Sequence, residues 1–321
     1  MGQSYSVNGY INSILRRSEK TLLVEGVTDA SVLIRLLAET PQEKGSSPKI
    51  DTATIFEDAL TADMGNKEKI IFLREAIRPL IDQHPKLKTA FATLVDREWD
   101  GLSFNGVKLQ GEWHPPQQSE NHFTTIGHSI ENYGFESDFI IEYLKNSFPR
   151  EITADFVRLL KHRFLAILAF GASYSLRARE LSCIKRCGGI LKLDHIDFEG
   201  NSFYLNDSFE NALTSRGFQN SKDFLLGCNS ATREFWNHNA ANLPASWLLH
   251  GHLGLEALWI CVGYLANEEG FGAGTVEQIV SGRRDERERF MHSWITNQLP
   301  PERRTPLDDA IDWMLTRPIA A

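Results

Sequence analysis

The sequence predicts an α/β domain, a mainly parallel sheet flanked by helices, followed by a mainly helical domain. Two apolar runs of one construction and a later change of periodicity carry that prediction. Leu22–Val24 is a short β-favouring run ending in Glu25-Gly26, after which Thr28 and Asp29 can cap the amphipathic run Ala30–Ala38. Ala90–Val95 repeats the design and ends in Asp96-Arg97-Glu98-Trp99-Asp100-Gly101. Beyond Phe139 the apolar spacing becomes helical, so the expected boundary divides 1–139 from 140–321.

The elements follow in order. Ser4–Ser18 reads as a short helix with Ile11, Ile14 and Leu15 on one face. The first strand and its helix come next, then a Gly/Ser/Pro linker at Gly45–Pro48. Ala53–Phe56 is the second strand expected, closing on Glu57 and Asp58. Ile70, Leu73, Ile77 and Leu80 place a long helix over Asn66–His84. The third strand delivers Asp96; Gly101–Asn121 is polar and turn-rich, a surface loop, and His122–Ile126 is the fourth strand. Strand–helix repetition of this kind builds parallel sheets with right-handed crossovers.

In the second half, helices are expected at Asp138–Ser147, Thr153–Phe170 and Ser175–Arg186. A hairpin of His195–Phe198 and Ser202–Leu205 turns on Glu-Gly-Asn. Helices resume at Ser221–Asn237, Ser246–Ala266, Thr275–Val280, Arg283–Gln298 and Leu307–Leu315. The chain shows no internal repeat and no low-complexity tract.

Composition narrows the class. The 321 residues are 42% hydrophobic and 24% charged, which fits two packed units of a globular protein. A net charge of −8 excludes a generic nucleic-acid coat, so basic residues for such a partner must be gathered locally. Four cysteines and no signal-like amino terminus point to reduced cytoplasm rather than a disulfide framework. The apolar stretch Ala245–Ala266 is broken by His250, His252 and Glu256, which favours a buried helix over a membrane span.

Glu25 and Asp96, each closing a buried strand, fall at the carboxyl edge where open α/β sheets place their ligands, with Glu98 and Asp100 in the following loop. Converging carboxylates repel unless they share a divalent cation, and hard oxygen donors suit Mg²⁺ or Mn²⁺. The bland alternative is a strand-ending surface glutamate whose glycine eases the turn.

A third segment, His128-Ser129-Ile130-Glu131-Asn132-Tyr133, completes a family pattern. Strand-Glu-Gly, helix, strand-Asp cluster and this last motif resemble the Toprim domain of topoisomerases, primases and OLD-type nucleases. Within it they resemble the DUF4435 branch and the Toprim effectors of PARIS anti-phage systems. The resemblance covers roughly Ser18 to Phe139. The family's second cluster is usually Asp-x-Asp, whereas this chain reads Asp96-Arg97-Glu98, with Asp100 further on. It therefore leaves open which of Glu98 and Asp100 faces the metal.

The resemblance implies metal-dependent phosphodiester hydrolysis. Glu25, Asp96 and Glu98 or Asp100 would hold the ion, with Glu131 a further ligand or simply a carboxylate at a helix start. The Glu25 position usually serves as proton acceptor in such enzymes. The resemblance further implies RNA, specifically tRNA, as substrate ahead of DNA, homodimeric action, and a separate ABC-type ATPase that restrains a toxic effector. The chain has no G-x-x-x-x-G-K-[ST] loop of its own.

Arg97, Lys161, Arg163, Arg177 and Arg179 are candidate phosphate contacts, as are Lys185, Arg186 and the run Arg283–Arg289; each is weighed against a solvated helix face. Cys183 and Cys187 lack a second pair for zinc and read as buried thiols. His250-Gly251-His252 reads as catalytic or as packing and capping, and Gly270–Gly274 as an interhelical loop. Two competing functions remain. Arg287 and His292 have the Arg-x4-His spacing of metal-independent HEPN ribonucleases, and a degenerate module could bind nucleic acid or a partner without cutting.

Overall fold

The computed structural model describes residues 4–41, 48–57, 59–238 and 245–316. Asp58 and most of the expected linker at Gly45–Pro48 lie outside the described residues. The first elements are α1 (Val7–Arg16), β1 (Thr21–Val24), α2 (Val27–Glu39), β2 (Lys49–Thr52), α3 (Asn66–Ile77), α4 (Lys86–Thr89) and β3 (Phe91–Val95). There follow β4 (Phe104–Asn105), β5 (Lys108–Leu109), β6 (His122–Thr124), α5 (Ser137–Ser147), α6 (Ala154–Glu180) and α7 (Ile184–Cys187). The last are β7 (Ile196–Glu199), β8 (Ser202–Leu205), α8 (Asp207–Ser215), α9 (Ser221–His238), α10 (Gly251–Glu268), α11 (Ala273–Val280), α12 (Arg284–Asn297) and α13 (Leu307–Leu315).

By compactness the chain forms two units. The first holds Met1–Arg97, Pro115–Ile126 and His292–Ala321, the second Glu98–His114 and Gly127–Met291. This division differs from the expected boundary after Phe139. The stretch from His292 to Thr316 groups with the sheet, where Lys20 Nζ donates to the Trp313 carbonyl at 2.7 Å and to Thr316 Oγ1 at 2.8 Å.

The first unit is an all-parallel sheet of order β2-β1-β3-β6 flanked by helices. Every residue of β1 and β3 is buried, which is why both read as unbroken apolar runs. Val24 pairs with Leu94, so Glu25 and Asp96 leave neighbouring strands at nearly the same height. Beneath them Leu23, Phe91 and Val95 pack with Ile70 and Leu73 of α3 and Tyr10 of α1.

Several expectations are corrected. The second strand is β2, and Ala53–Ile55 is a 3₁₀ turn. β2 was illegible because it carries Asp51 inward, where Tyr10 Oη donates to it at 2.8 Å and Arg17 at 2.5 Å. The helix from Asn66 stops at Ile77 because Pro79 has no N–H and clashes with the preceding turn; a 3₁₀ turn, Arg78–Leu80, follows. β6 ends at Thr124, although the Thr125 N–H still reaches the Val95 carbonyl. Inside the expected 101–121 loop, β4 and β5 form a small hairpin turning on Gly106-Val107, with Gly106 at φ +59°.

In the second unit the two helices expected over Thr153–Arg186 are one long helix, α6, followed by the short α7. Gly171 does not break α6; a Cβ there would meet Leu249 Cδ2 at 2.7 Å, so its absence admits that neighbour. Ser246–Ala266 divides into a 3₁₀ turn, Ala245–Trp247, and α10. The β7–β8 hairpin and the other expected helices lie where the sequence places them, within a few residues, whereas α8 was not expected. Among the described residues no helix is long and apolar enough to cross a membrane.

Candidate active site at the sheet edge

In the first unit the turn after β3 is pinned by side chains from three directions. Glu25 Oε1 accepts the Asp96 N–H at 2.8 Å, joining the ends of β1 and β3. Thr125 Oγ1 accepts the Arg97 N–H at 2.9 Å, and Lys67 Nζ reaches the Arg97 carbonyl at 3.3 Å. Arg97 itself is buried and donates to the Ile126 carbonyl at 3.2 Å, so its guanidinium builds the turn instead of facing a phosphate. Asp29, also buried, accepts the Gly26 N–H at 2.7 Å and fixes the start of α2. Glu25 and Asp96 are half-buried, held without leaving solvent reach; Glu57 is exposed.

A group the sequence reading missed lies along the same strands. Arg74 donates to Thr93 Oγ1 at 3.1 Å and to the Asn121 carbonyl at 3.2 Å, and the Thr93 hydroxyl meets His122 Nδ1 at 2.7 Å. Burial, then the charges of Arg74 and Lys67, push His122 down to about 4, so it is neutral at pH 7. The signal was present: Lys67 and Arg74 stand seven residues apart on one helix face, but only apolar positions define the helical pattern.

Glu98, Asp100 and Glu131 belong to the second unit. Glu98 is exposed at φ +54°, with its N–H donated to the His128 carbonyl at 2.7 Å, and Asp100 is exposed. Trp99 donates Nε1–H to the Leu248 carbonyl at 3.3 Å and packs edge-on against His128, the ring centres 4.4 Å apart. His128 lies 4.4 Å from His250, which stands at the N-cap of α10. The His250 side chain makes no capping bond, and its ring packs against those of Trp99 and His128. Burial first and the His252 charge second lower His250 to about 4, against the raising effect of Glu131. Half-buried Glu131 lies 3.9 Å from the exposed His252, in a 3₁₀ turn, Ile130–Gly134. Gly251 is required there: a Cβ would come within 2.3 Å of Ser129 Oγ and 2.8 Å of Glu131 Oε2.

The remaining basic candidates do not converge. Lys161, Arg163, Arg177 and Arg179 share α6, where Arg163 and Arg177 lie about 21 Å apart along the axis. Lys161 pairs with Asp138 at 2.9 Å, and Arg163 pairs with Glu268 at 2.6 Å. Arg177 is buried between Glu180 and Asp223, the latter at 2.7 Å, so it is structural. Arg179 covers the rings of Trp99 and Phe104. Arg287 is buried over Trp259 and donates to the Gln278 and Ile279 carbonyls at the end of α11. That capping role, together with burial of His292, gives the HEPN-type spacing a packing explanation. Cys183 and Cys187 are buried thiols with sulfurs 3.7 Å apart.

Among the described residues no group of three or more His, Cys, Asp or Glu side chains forms a metal cage. Magnesium is ordinarily bound by one or two carboxylates, with water and substrate phosphate filling its octahedron, and Glu25 and Asp96 are residues of that chemistry at adjacent strand ends. No family model matches the chain, and no curated protein matches it significantly.

Proposed function

We propose that the first unit is a Toprim-like nuclease domain that hydrolyses phosphodiester bonds with Mg²⁺ or Mn²⁺. The observation that carries this reading is the 2.8 Å bond from the Asp96 N–H to Glu25 Oε1, which sets two carboxylate residues side by side at the carboxyl ends of parallel strands. Glu25 and Asp96 would hold the ion. When bound, it supplies a water of lowered pKa and offsets charge on the phosphate. Glu25, oriented by the backbone of β3, would accept the proton of the attacking water through the carboxylate oxygen that does not hold the ion. The reading rests on these two residues, and no role is extended to Glu98, Asp100 or Glu131.

The resemblance extends the proposal to a toxic effector of an anti-phage system, acting on RNA, specifically tRNA, ahead of DNA, as a homodimer in the cytoplasm. Because the chain has no nucleotide-binding loop of its own, a separate ABC-type ATPase would supply the restraint. Purified protein should cut RNA with Mg²⁺ present, and EDTA should abolish the cut. Cleavage that persists in EDTA rejects the metal reading, and preferential cutting of DNA rejects the RNA assignment. Failure to co-purify with a neighbouring ATPase, with no Glu25-dependent growth arrest on phage challenge, rejects the effector model.

A further inference from the structure

Along α6 every arginine and lysine but one meets a carboxylate. Arg158 pairs with Asp155, Lys161 with Asp138, Arg163 with Glu268, and Arg177 with Glu180 and Asp223. Arg179 is the exception: among the described residues it makes no ion pair and no hydrogen bond, and its guanidinium meets only rings. The guanidinium carbon lies 4.8 Å from the centre of the Phe104 ring and 5.5 Å from that of Trp99. Glu180, the next residue, is turned to Arg177 instead. Arg179 is half-buried, yet its nitrogens are not shut off from solvent, so the N–H fork is left to water.

Both rings are held in place from elsewhere in the second unit. Trp99 donates Nε1–H to the Leu248 carbonyl at 3.3 Å and is packed edge-on by His128, which stops it swinging away. Phe104 rides on the β4–β5 hairpin, which an ion pair of 2.6 Å from Lys108 ties to Glu234 of α9. The turn of that hairpin lies against Glu180, whose Oε1 would be 3.3 Å from a Cβ at Gly106.

Covering apolar rings is the simplest role for Arg179, and any long stem could fill it. A guanidinium over two ring faces does more: the side chain is already ordered, while its planar fork keeps its donors unpaired with protein. Such a fork matches the oxygens of a phosphate, and ordering in advance lowers the entropy cost of taking one. Trp99 and Phe104 are themselves only half-buried, so ring surface stays within reach of bases, which favours a nucleic-acid strand over an acidic peptide.

We propose that Arg179 is a phosphate-binding residue for single-stranded nucleic acid: held over Trp99 and Phe104, its guanidinium takes two oxygens of one backbone phosphate. The inference rests on the nuclease reading for its ligand class.

The test measures binding of a short fluorescein-labelled single-stranded RNA by anisotropy across a salt series, in EDTA, using the full chain carrying Glu25→Gln so that nothing is cut. Arg179→Met keeps an apolar stem over the rings; it should weaken binding about three- to tenfold at low salt and flatten the plot of log K against log salt by about 0.7, the loss of one phosphate contact. Arg179→Lys should keep the slope while binding about two- to fivefold more weakly, because a point charge remains but the planar fork is gone. Arg158→Met, on the same helix but paired with Asp155, should leave the slope unchanged. A role limited to covering the rings predicts a lower melting temperature in Arg179→Met with the slope unmoved, and that result overturns the proposal. So does an equal effect in Arg158→Met, a lost slope in Arg179→Lys, or a parent chain that does not bind RNA. A labelled oligo-glutamate peptide is titrated in parallel, and Arg179-dependent binding of the peptide alone overturns the nucleic-acid assignment. If the slope falls as expected while the wild-type chain shows no metal-dependent cleavage, Arg179 stands and the nuclease reading falls. If Glu25 proves essential for metal-dependent cleavage while the slope is unmoved, the reading stands and Arg179 falls.

Discussion

Glu25 in the first unit and Glu131 in the second are both half-buried carboxylates in glycine-bearing motifs, yet they are held by different means. Glu25 closes a fully buried strand and accepts an N–H from the neighbouring strand's end, so the stiffest part of the unit sets its position. Glu131 sits in a 3₁₀ turn, 3.9 Å from an exposed imidazole and pressed by a backbone that tolerates no side chain at Gly251. A carboxylate fixed through the sheet backbone keeps its place when neighbouring side chains change; one fixed by loop packing does not. Chemistry that depends on sub-ångström placement is favoured at the first site.

The largest expected contrast is catalytic. On the proposed reading Asp96→Asn removes one of the two hard ligands, and it should lower cleavage about 100-fold or more. Glu131→Gln, measured in the same assay, should stay within about threefold of wild type, the change expected of a group outside the chemistry. The reverse order would move the site to the second unit.

Removing a buried cation tests what holds the second unit. Arg177→Ala removes a buried guanidinium whose partners Glu180 and Asp223 reach solvent, so it should cost about 1–2 kcal/mol in denaturant unfolding, mostly lost packing and hydrogen bonds. If the variant is as stable as wild type, Arg177 is not structural and returns as a phosphate contact. The glycines give a comparable contrast: Gly251→Ala should cost about 1–3 kcal/mol, since its Cβ meets Ser129 Oγ at 2.3 Å. Gly26→Ala, whose Cβ would sit 3.4 Å from Asp29 Oδ2, should change stability by about 0.5 kcal/mol or less.

The smallest effect is on pH dependence, where the two units should behave alike. His122 in the first and His250 in the second are each lowered to about 4. A histidine depressed by folding binds its proton more readily when unfolded, so stability is complete above its ordinary pKa near 6.5 and is lost as pH falls toward 4. Partial exposure of both rings limits each contribution to about 1 kcal/mol. Chemical denaturation of wild type and His122→Gln at pH 7 and pH 4.5 should show a smaller acid loss in the variant. An equal loss removes His122 as a source.

The two central strands were legible because burial on both faces leaves an unbroken apolar run ending in a charge: Leu22–Val24 before Glu25, Ala90–Val95 before Asp96. β2 was not, because Asp51 points inward and is neutralised by Arg17, 34 residues earlier, a long-range pairing that local pattern cannot carry. The Glu25–Asp96 adjacency follows from strand register, which the parallel order implies. The grouping of Trp99, His128 and His250 does not, since it depends on a return of the chain about 120 residues later. Arg97 and Arg177 looked like surface cations because sequence counts charges but not burial, and both proved to be buried.

The most direct test of the sheet-edge site is Mn²⁺ binding followed by electron paramagnetic resonance, with RNA cleavage measured on the same samples of wild type and Glu25→Gln. The account predicts that wild type binds Mn²⁺ and cuts RNA, whereas Glu25→Gln, equally stable, binds the ion at least about tenfold more weakly and does not cut. Full cleavage by Glu25→Gln, or Mn²⁺ binding unchanged by the substitution, would contradict it.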